Sequence, residues 1–237
     1  MNAATLNSVR QSVDQSGFAI VSSFAPQQVV DELSRDISKL VASNGHLSPH
    51  GIRNLASVSR GTRQFANSSA VLDLVGRVLA RPTTLVRSIL FDKFPGANWN
   101  VAWHQDLTIA VEQRIDVEGF GPWTTKDGVV SVQPPVAVLE SMITLRLHLD
   151  DCGPDNGLVR VIPGSHRFGR LSSSHIHELV ASETVTECVA ESGDVLLMRP
   201  LLLHASSKSA SPSHRRVLHL DFTDYELPAG LAWSRVA

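Results

Sequence analysis

Apolar positions through the N-terminal third of the chain recur every three or four residues, the spacing of helices with one buried face. A short apolar run, Gly17-Phe18-Ala19-Ile20-Val21, reads as a strand. Pro26 follows. It suits a first helical turn, where its missing N–H would have no partner in any case. Val29, Val30, Leu33, Ile37, Leu40 and Val41 then fall on one helical face, and Asn44-Gly45 supplies a stop. Residues 45–63 are polar, hold Gly, Pro and two histidines, and are expected to form a loop. Val71, Leu72, Val75, Val78 and Leu79 mark a second helix that ends before Pro82.

From residue 84 the period shortens to that of strands. The runs 85–94, 142–149, 158–162, 185–189, 195–198 and 216–222 alternate or are apolar throughout. Pro95-Gly96, Asp155-Asn156-Gly157, Pro163-Gly164 and Gly193-Asp194 punctuate them. Many short strands joined by such turns predict a β-sandwich or jelly roll. Gly157 is expected at positive φ in a hairpin-type turn. In the run 142–149, alternation puts Ile143, Leu145, Leu147 and Leu149 on one face and Thr144, Arg146 and His148 on the other. The apolar face is expected to meet the N-terminal helices. Residues 107–141 form a long, weakly patterned insertion, expected to be mobile and to order over the mouth of a site.

Hydrophobic residues make up 43% of the 237, enough for a sizeable core without disulfides or a structural metal. The formal charge of −2, with no run of like charge, argues against a nucleic-acid partner. Cys152 and Cys188 read as reduced thiols. No apolar run approaches the roughly 18 residues of a membrane span. The first residues lack the basic-then-apolar order of a secretory signal. The expectation is a soluble protein of a reducing cytoplasm, with no membrane partner.

Candidate chemistry begins with Trp103-His104-Gln105-Asp106. Side chains two apart on an extended strand point the same way, so His104 and Asp106 can offer an imidazole and a carboxylate to one metal. His204 can supply a third ligand. Two histidines and one carboxylate leave half of an octahedron open, as Fe(II) needs to bind a cosubstrate and O₂ together. The spacing alone does not decide, because His148/Asp150 and His219/Asp221 repeat it. His175 and His177 lie in a polar stretch expected to be a solvated loop. His166 reads as a turn residue, and Trp103 should point away from the metal into core.

Taken in order, the segments Leu90-Phe91-Asp92-Lys93-Phe94-Pro95, Trp103-His104-Gln105-Asp106-Leu107, Asp155-Asn156-Gly157, Ile162-Pro163-Gly164-Ser165-His166, Gly193-Asp194-Val195, Leu203-His204 and Arg215 resemble the phytanoyl-CoA dioxygenase family. The resemblance covers about residues 85–225. It implies a mainly β fold, a double-stranded β-helix or jelly roll with flanking N-terminal helices. It also implies Fe(II), 2-oxoglutarate and O₂ as cofactor and cosubstrates. Of the three pairs it selects His104 and Asp106, with His204, as metal ligands. It assigns Arg215, Ser206 and Lys93 to 2-oxoglutarate and no catalytic residue beyond the metal centre. The retained Asp106 points to hydroxylation, because related halogenases have a small residue there. A single domain is expected over 1–237, with a helical flank over about 1–83 and a core over about 84–225.

On the residues alone Arg215, between His214 and Arg216, reads as a surface arginine. If it starts a strand, it faces inward with Val217, His219 and Asp221, and Arg216 faces away. Arg146, Trp99 and Trp123 are candidate substrate contacts, since the resemblance implies that the loops expected to hold both tryptophans border the site. A buried Arg146 needs a partner, either an anionic group of a small-molecule substrate or an internal carboxylate such as Glu112 or Glu140. Two other functions fit the same scaffold: a metal hydrolase or isomerase, which would not need Arg215, and a non-catalytic jelly-roll binding protein.

Overall fold

The computed structural model describes residues 3–43, 51–210 and 213–234. Its N-terminal part contains α1 (Ala3–Ser16), β1 (Phe18–Val21) and α2 (Gln27–Ser43), then β2 (Gly51–Arg53), α3 (Leu55–Val58), α4 (Arg60–Ala66) and α5 (Ser69–Leu79). The strand at 18–21 and the helices after Pro26 and before Pro82 stand where periodicity puts them. The expected stop at Asn44-Gly45 lies outside the described residues. The expected loop over 45–63 is corrected from residue 51 onward. Gly51–Arg53 pairs with a neighbouring strand, and Leu55, Ala56, Phe65 and Ala66 are buried on two short helices. Each element is too short to show a period. Ser59 caps α4 by accepting from the Thr62 N–H at 3.0 Å.

The remaining strands are β3 (Thr84–Lys93), β4 (Val101–His104), β5 (Ile109–Val111), β6 (Trp123–Lys126), β7 (Val129–Val132), β8 (Ile143–His148), β9 (Val159–Val161), β10 (Thr186–Cys188), β11 (Val195–Met198), β12 (His204–Ser206) and β13 (Arg215–Thr223). Helices α6 (Val136–Glu140) and α7 (Ser173–Ser182) lie among them. Among the described residues the strands form three antiparallel sheets, ordered β1-β11-β8-β13-β3-β2, β10-β9-β12-β4 and β5-β7-β6. The first two face each other as the jelly roll. The N-terminal segment contributes both edges of the larger sheet, β1 and β2, as well as the helices.

Alternation decides what each face of the large sheet meets. Leu145, Leu147, Leu218, Leu220 and Phe222 join one buried cluster with Leu6, Val13, Leu33, Leu74 and Val75 of the helices. The helical layer therefore covers the outer face, as expected for the run 142–149. Inside the roll, Val159, Val161, Leu196, Met198 and Leu202 fill an apolar portion. The rest of the interior is polar and holds the site described below.

The insertion 107–141 is not weakly structured. It folds as the three-stranded sheet β5-β7-β6 plus α6, with Ile109, Val111, Val132, Val138 and Leu139 in a buried cluster that also takes in Val86, Met142 and Leu201. Its period is hidden because its strands are three or four residues long. Asp127 and Gly128, at φ 53° and 76°, make the two-residue β6–β7 turn, a pattern matched to strand twist. The stretch around His175 and His177, expected as a loop, lies in α7, capped where the His175 N–H donates to Ser172 Oγ at 3.3 Å. Among the described residues no helix is long and apolar enough to cross a membrane.

Gly193 turns the chain into β11 at φ +91°, and an added Cβ would lie 2.6 Å from the Ala25 carbonyl oxygen. Gly193→Ala is therefore expected to destabilise the fold by about 1–3 kcal/mol, measured by urea unfolding. Gly153→Ala, with open space around it, should be near neutral. Equal effects would show that the close approach at Gly193 does not matter.

Candidate metal centre

His104 ends β4, His204 begins β12, and the two are direct antiparallel partners. Their ring centroids lie 4.2 Å apart. Each ring is held by its own backbone: Nδ1 of His104 lies 2.9 Å from the Ala102 carbonyl oxygen, and Nδ1 of His204 lies 2.8 Å from that of Leu202. A carbonyl only accepts, so both Nδ1 atoms carry the proton and both Nε2 lone pairs are free. Asp106 follows β4, fixed by its N–H donating to the Pro200 carbonyl at 2.9 Å. Between them the buried Gln105 side chain turns away and donates to the Gly169 and Leu201 carbonyls, at 2.8 and 2.7 Å.

These constraints aim three ligand atoms at one point. Asp106 Oδ1 is 3.9 Å from His104 Nε2, and Oδ2 is 3.8 Å from His204 Nε2. Those gaps are too long for hydrogen bonds, and Oδ2 is buried without a partner. The three donors lie within 4.8 Å of one another. An unpartnered carboxylate oxygen facing two free imidazole nitrogens fits a bound cation. Burial, with His104 nearby, pushes His204 down to about 4, which keeps it in the neutral, ligating form. Burial would raise Asp106, but His204, His219, Arg87 and His104 outweigh it and hold the carboxylate below its ordinary range.

The other two His-x-Asp pairs have different surroundings. Asp150 grips Arg216 with two bonds of 2.7 and 2.8 Å. His148 is buried at the Asp194 carbonyl, 3.3 Å away, and burial and Arg146 push it down to about 4. His219 and Asp221 belong to a network set by strand register. His219 is the cross-strand partner of Arg146, and Asp221 that of Thr144 on one side and Arg87 on the other. Arg146 Nη1 lies 3.0 Å from His219 Nδ1. Arginine can only donate, so His219 Nδ1 accepts and its proton sits on Nε2, 3.1 Å from Asp221 Oδ1 though poorly aligned with it. Asp221 also accepts from Arg87 and Thr144. His175 and His177 are exposed on α7. Trp103 packs beside Ile162 and Leu203, under the Arg160 guanidinium.

A cavity of about 450 Å³ opens beside the three ligands. Lys93, Arg146, Ser206, Arg215 and Trp99 all line it. Arg215 is 2% exposed, so it is not the surface arginine that its neighbours suggest, and it pairs in register with Lys93. Lys93 Nζ donates to Ser206 Oγ at 2.7 Å and to the Ser207 carbonyl at 2.6 Å. Burial, reinforced by Arg215 and Arg146, lowers Lys93 to about 7. Arg146 falls to about 10 by burial and Arg215. Nε of both arginines is buried without a partner. Arg146 meets His219 and the Phe91 ring, 5.7 Å away.

Trp123 does not line this cavity. It lies on β6, not in a loop, and packs into the small cluster of the insertion. Alternation then turns Lys126, three positions on, to the opposite side and into the cavity. Lys126, Arg53 and Phe91 line the cavity too, and the sequence reading does not mark them as site residues. Asp127-Gly128, a strong hairpin signal, could have placed Lys126 at the end of a strand.

A sequence profile of the family described as phytanoyl-CoA dioxygenase (PhyH) matches residues 13–217. Ectoine dioxygenase of Nocardia farcinica is 24% identical over 249 residues, covering 90% of this chain and 76% of that protein. Among solved structures, the non-heme alpha-ketoglutarate-dependent epimerase SnoN from nogalamycin biosynthesis matches with a TM-score of 0.73 at 15% identity. The match covers 100% of this chain and 86% of that one. EctD from S. alaskensis, with 2-oxoglutarate and 5-hydroxyectoine, matches with a TM-score of 0.72 at 18% identity, covering 94% and 76%. These structural likenesses identify the fold as the jelly roll of that group.

Lys93 provides a test of the cavity's electrostatics. Its folded value of about 7 lies below the ordinary 10.5. Between those values the unfolded chain binds more protons than the folded one, so stability rises with pH, and the penalty is full below about 7. Urea midpoints of the ligand-free protein at about pH 7 and about pH 9 should show this rise, and Lys93→Met should flatten it. The same slope in both proteins would contradict the assignment.

Proposed function

The chain belongs to the phytanoyl-CoA dioxygenase family of iron- and 2-oxoglutarate-dependent oxygenases, and from that premise we propose that it hydroxylates an unactivated C–H bond of a small-molecule substrate. The observation that carries this reading is the juxtaposition, in one cavity, of a three-donor metal centre and a cationic cradle. His104, Asp106 and His204 would hold Fe(II). Arg215, Lys93 and Ser206 would hold the far carboxylate of 2-oxoglutarate.

The side chains divide the work. The imidazole Nε2 atoms and one Asp106 oxygen would supply three ligands to the metal, a set that leaves room for cosubstrate and O₂. Arg215 can grip a carboxylate with two charge-assisted bonds. Lysine only donates, so Ser206 Oγ accepts from Lys93 and its own hydrogen is free for the same carboxylate. When bound, iron and 2-oxoglutarate supply an oxidant able to break a C–H bond, with O₂ consumed and succinate and CO₂ released. Arg146, beside Arg215, faces the boundary between cosubstrate and substrate. Trp99 offers a flat wall for the substrate body. The carboxylate at Asp106 favours hydroxyl transfer over halide transfer. A metal hydrolase on this scaffold would leave Arg215 and Lys93 buried without an anion, an unfavourable arrangement.

The direct test is a succinate-release screen against a metabolite library with Fe(II), 2-oxoglutarate and O₂. Alanine at His104, Asp106 or His204 should abolish substrate-dependent succinate release and weaken iron binding. His148→Ala and His219→Ala should still bind iron. Arg215→Ala should raise the 2-oxoglutarate KM roughly 10- to 100-fold, the worth of a charge-assisted pair. Arg216→Ala, turned to Asp150, should change it little. Iron lost from His148→Ala but kept by His104→Ala would overturn the ligand set, and equal effects of the two arginines would overturn the anchor.

A further inference from the structure

Charge in the cavity is far from balanced. Five cations, Arg53, Lys93, Lys126, Arg146 and Arg215, line it against one carboxylate, Asp106. Arg53 Nε lies 3.2 Å from Asp127 Oδ2, so the two form a neutral pair. The other four cations have no carboxylate partner among the described residues. A divalent metal adds two charges and 2-oxoglutarate removes two. The loaded cavity thus keeps the excess of three that it has when empty, four cations less Asp106. With Lys93 neutral the excess is still two. Positive charge walled by protein raises the local concentration of anions, and among the described residues no carboxylate is left to neutralise it.

The share of that charge carried by Lys126 has a defined place, next to the Arg53–Asp127 pair. A second cavity, of about 340 Å³, shares Arg53, Phe91, Trp99 and Lys126 with the first. The shared residues therefore form the passage between the two cavities. Lys126 is exposed, and Arg53 and Trp99 are partly so, which puts the two cations at the rim. They come from opposite sides. Arg53 is on β2, the edge of the large sheet, and Lys126 ends β6 in the insertion. The Asp127-Gly128 turn fixes the end of β6, and the Arg53–Asp127 pair ties that turn to β2. Lys126 is held beside Arg53 by this tie, although like charges repel. Phe91 and Trp99 give the passage flat apolar walls.

We propose that the substrate carries an oxyanion, a carboxylate or phosphate-type group, which docks at the rim between Lys126 and Arg53 while its body lies along Trp99 and Phe91 toward the metal. This rests on the oxygenase reading above. It assigns substrate selection to two residues outside the metal centre and the cosubstrate cradle. An anion there takes the counter-ion place that Lys126 lacks and competes with Asp127 for Arg53. Substrate entry thus loosens the tie between β2 and the hairpin. Rim charges are open to solvent, so docking weakens as salt rises.

The test is equilibrium binding by calorimetry, anaerobically, to protein loaded with Mn(II) and saturating 2-oxoglutarate so that Arg215 is occupied. The probes are benzoate, phenyl phosphate and the neutral benzamide. Benzoate or phenyl phosphate should bind at least tenfold tighter than benzamide, and the stronger of the two identifies the type of oxyanion. Lys126→Gln should weaken that probe about tenfold, Lys126→Arg should restore it, and Arg53→Gln should weaken it as well. None of the three should alter 2-oxoglutarate affinity, which also shows that the variants are folded. Benzamide binding as tightly as the anions, no detectable binding of any probe, or anion binding indifferent to Lys126 and Arg53 would overturn the proposal. Failure of the wild-type protein to bind 2-oxoglutarate would instead overturn the oxygenase reading, and this inference with it.

Discussion

Lys93, Arg146 and Arg215 are 1%, 6% and 2% exposed between the two sheets, and none has a carboxylate partner among the described residues. A cation taken out of water without a counter-charge costs several kcal/mol. Arg87, on the same inner face, shows the alternative. Asp221, held far below the ordinary carboxylate range by Arg87, His219 and Thr144 against the effect of burial, neutralises it. One half of the polar interior is therefore complete within the chain, and the other half is left with cations that the proposed ligands would balance. Ligand binding should stabilise such a fold by mass action, because an anion relieves what folding leaves uncompensated.

The architecture permits this because the load is carried elsewhere. The outer face of the large sheet, buried under α1, α2 and α5, makes the main apolar core. A second apolar cluster fills part of the interior. The two-residue period of the strands separates these roles residue by residue. On β13, Leu218, Leu220 and Phe222 pack outward, and Arg215, His219 and Asp221 turn inward. A slip of one position on β13 would exchange these roles. Register also pairs His204 with His104 and Arg215 with Lys93, so the candidate metal ligands and the cations proposed to hold the cosubstrate share their cause.

Much of this was legible in the sequence because its signals are local. Alternation over 142–149 gives the correct faces, and the period after Pro26 gives α2. His104 and Asp106 needed family resemblance to stand apart from His148/Asp150 and His219/Asp221, since all three pairs have the same spacing. Their difference lies in pairing with distant strands, which spacing does not encode. The partner of Arg146 was hidden for the same reason: His219 reaches it across β8 and β13. The insertion misled because strands of three or four residues show too little period. Trp123 was misjudged with it, since only its place on β6 reveals which way it faces. The helix at 173–182 did leave a trace, with Ile176, Leu179 and Val180 at helical spacing behind a serine cap.

An anaerobic crystal structure with Mn(II) and 2-oxoglutarate tests the central claim most directly. One metal is expected, bonded to His104 Nε2, one oxygen of Asp106 and His204 Nε2, with the far carboxylate of 2-oxoglutarate within hydrogen-bond reach of Arg215 and Ser206. Metal at His148 or His219, or a cosubstrate carboxylate held away from Arg215, would contradict it.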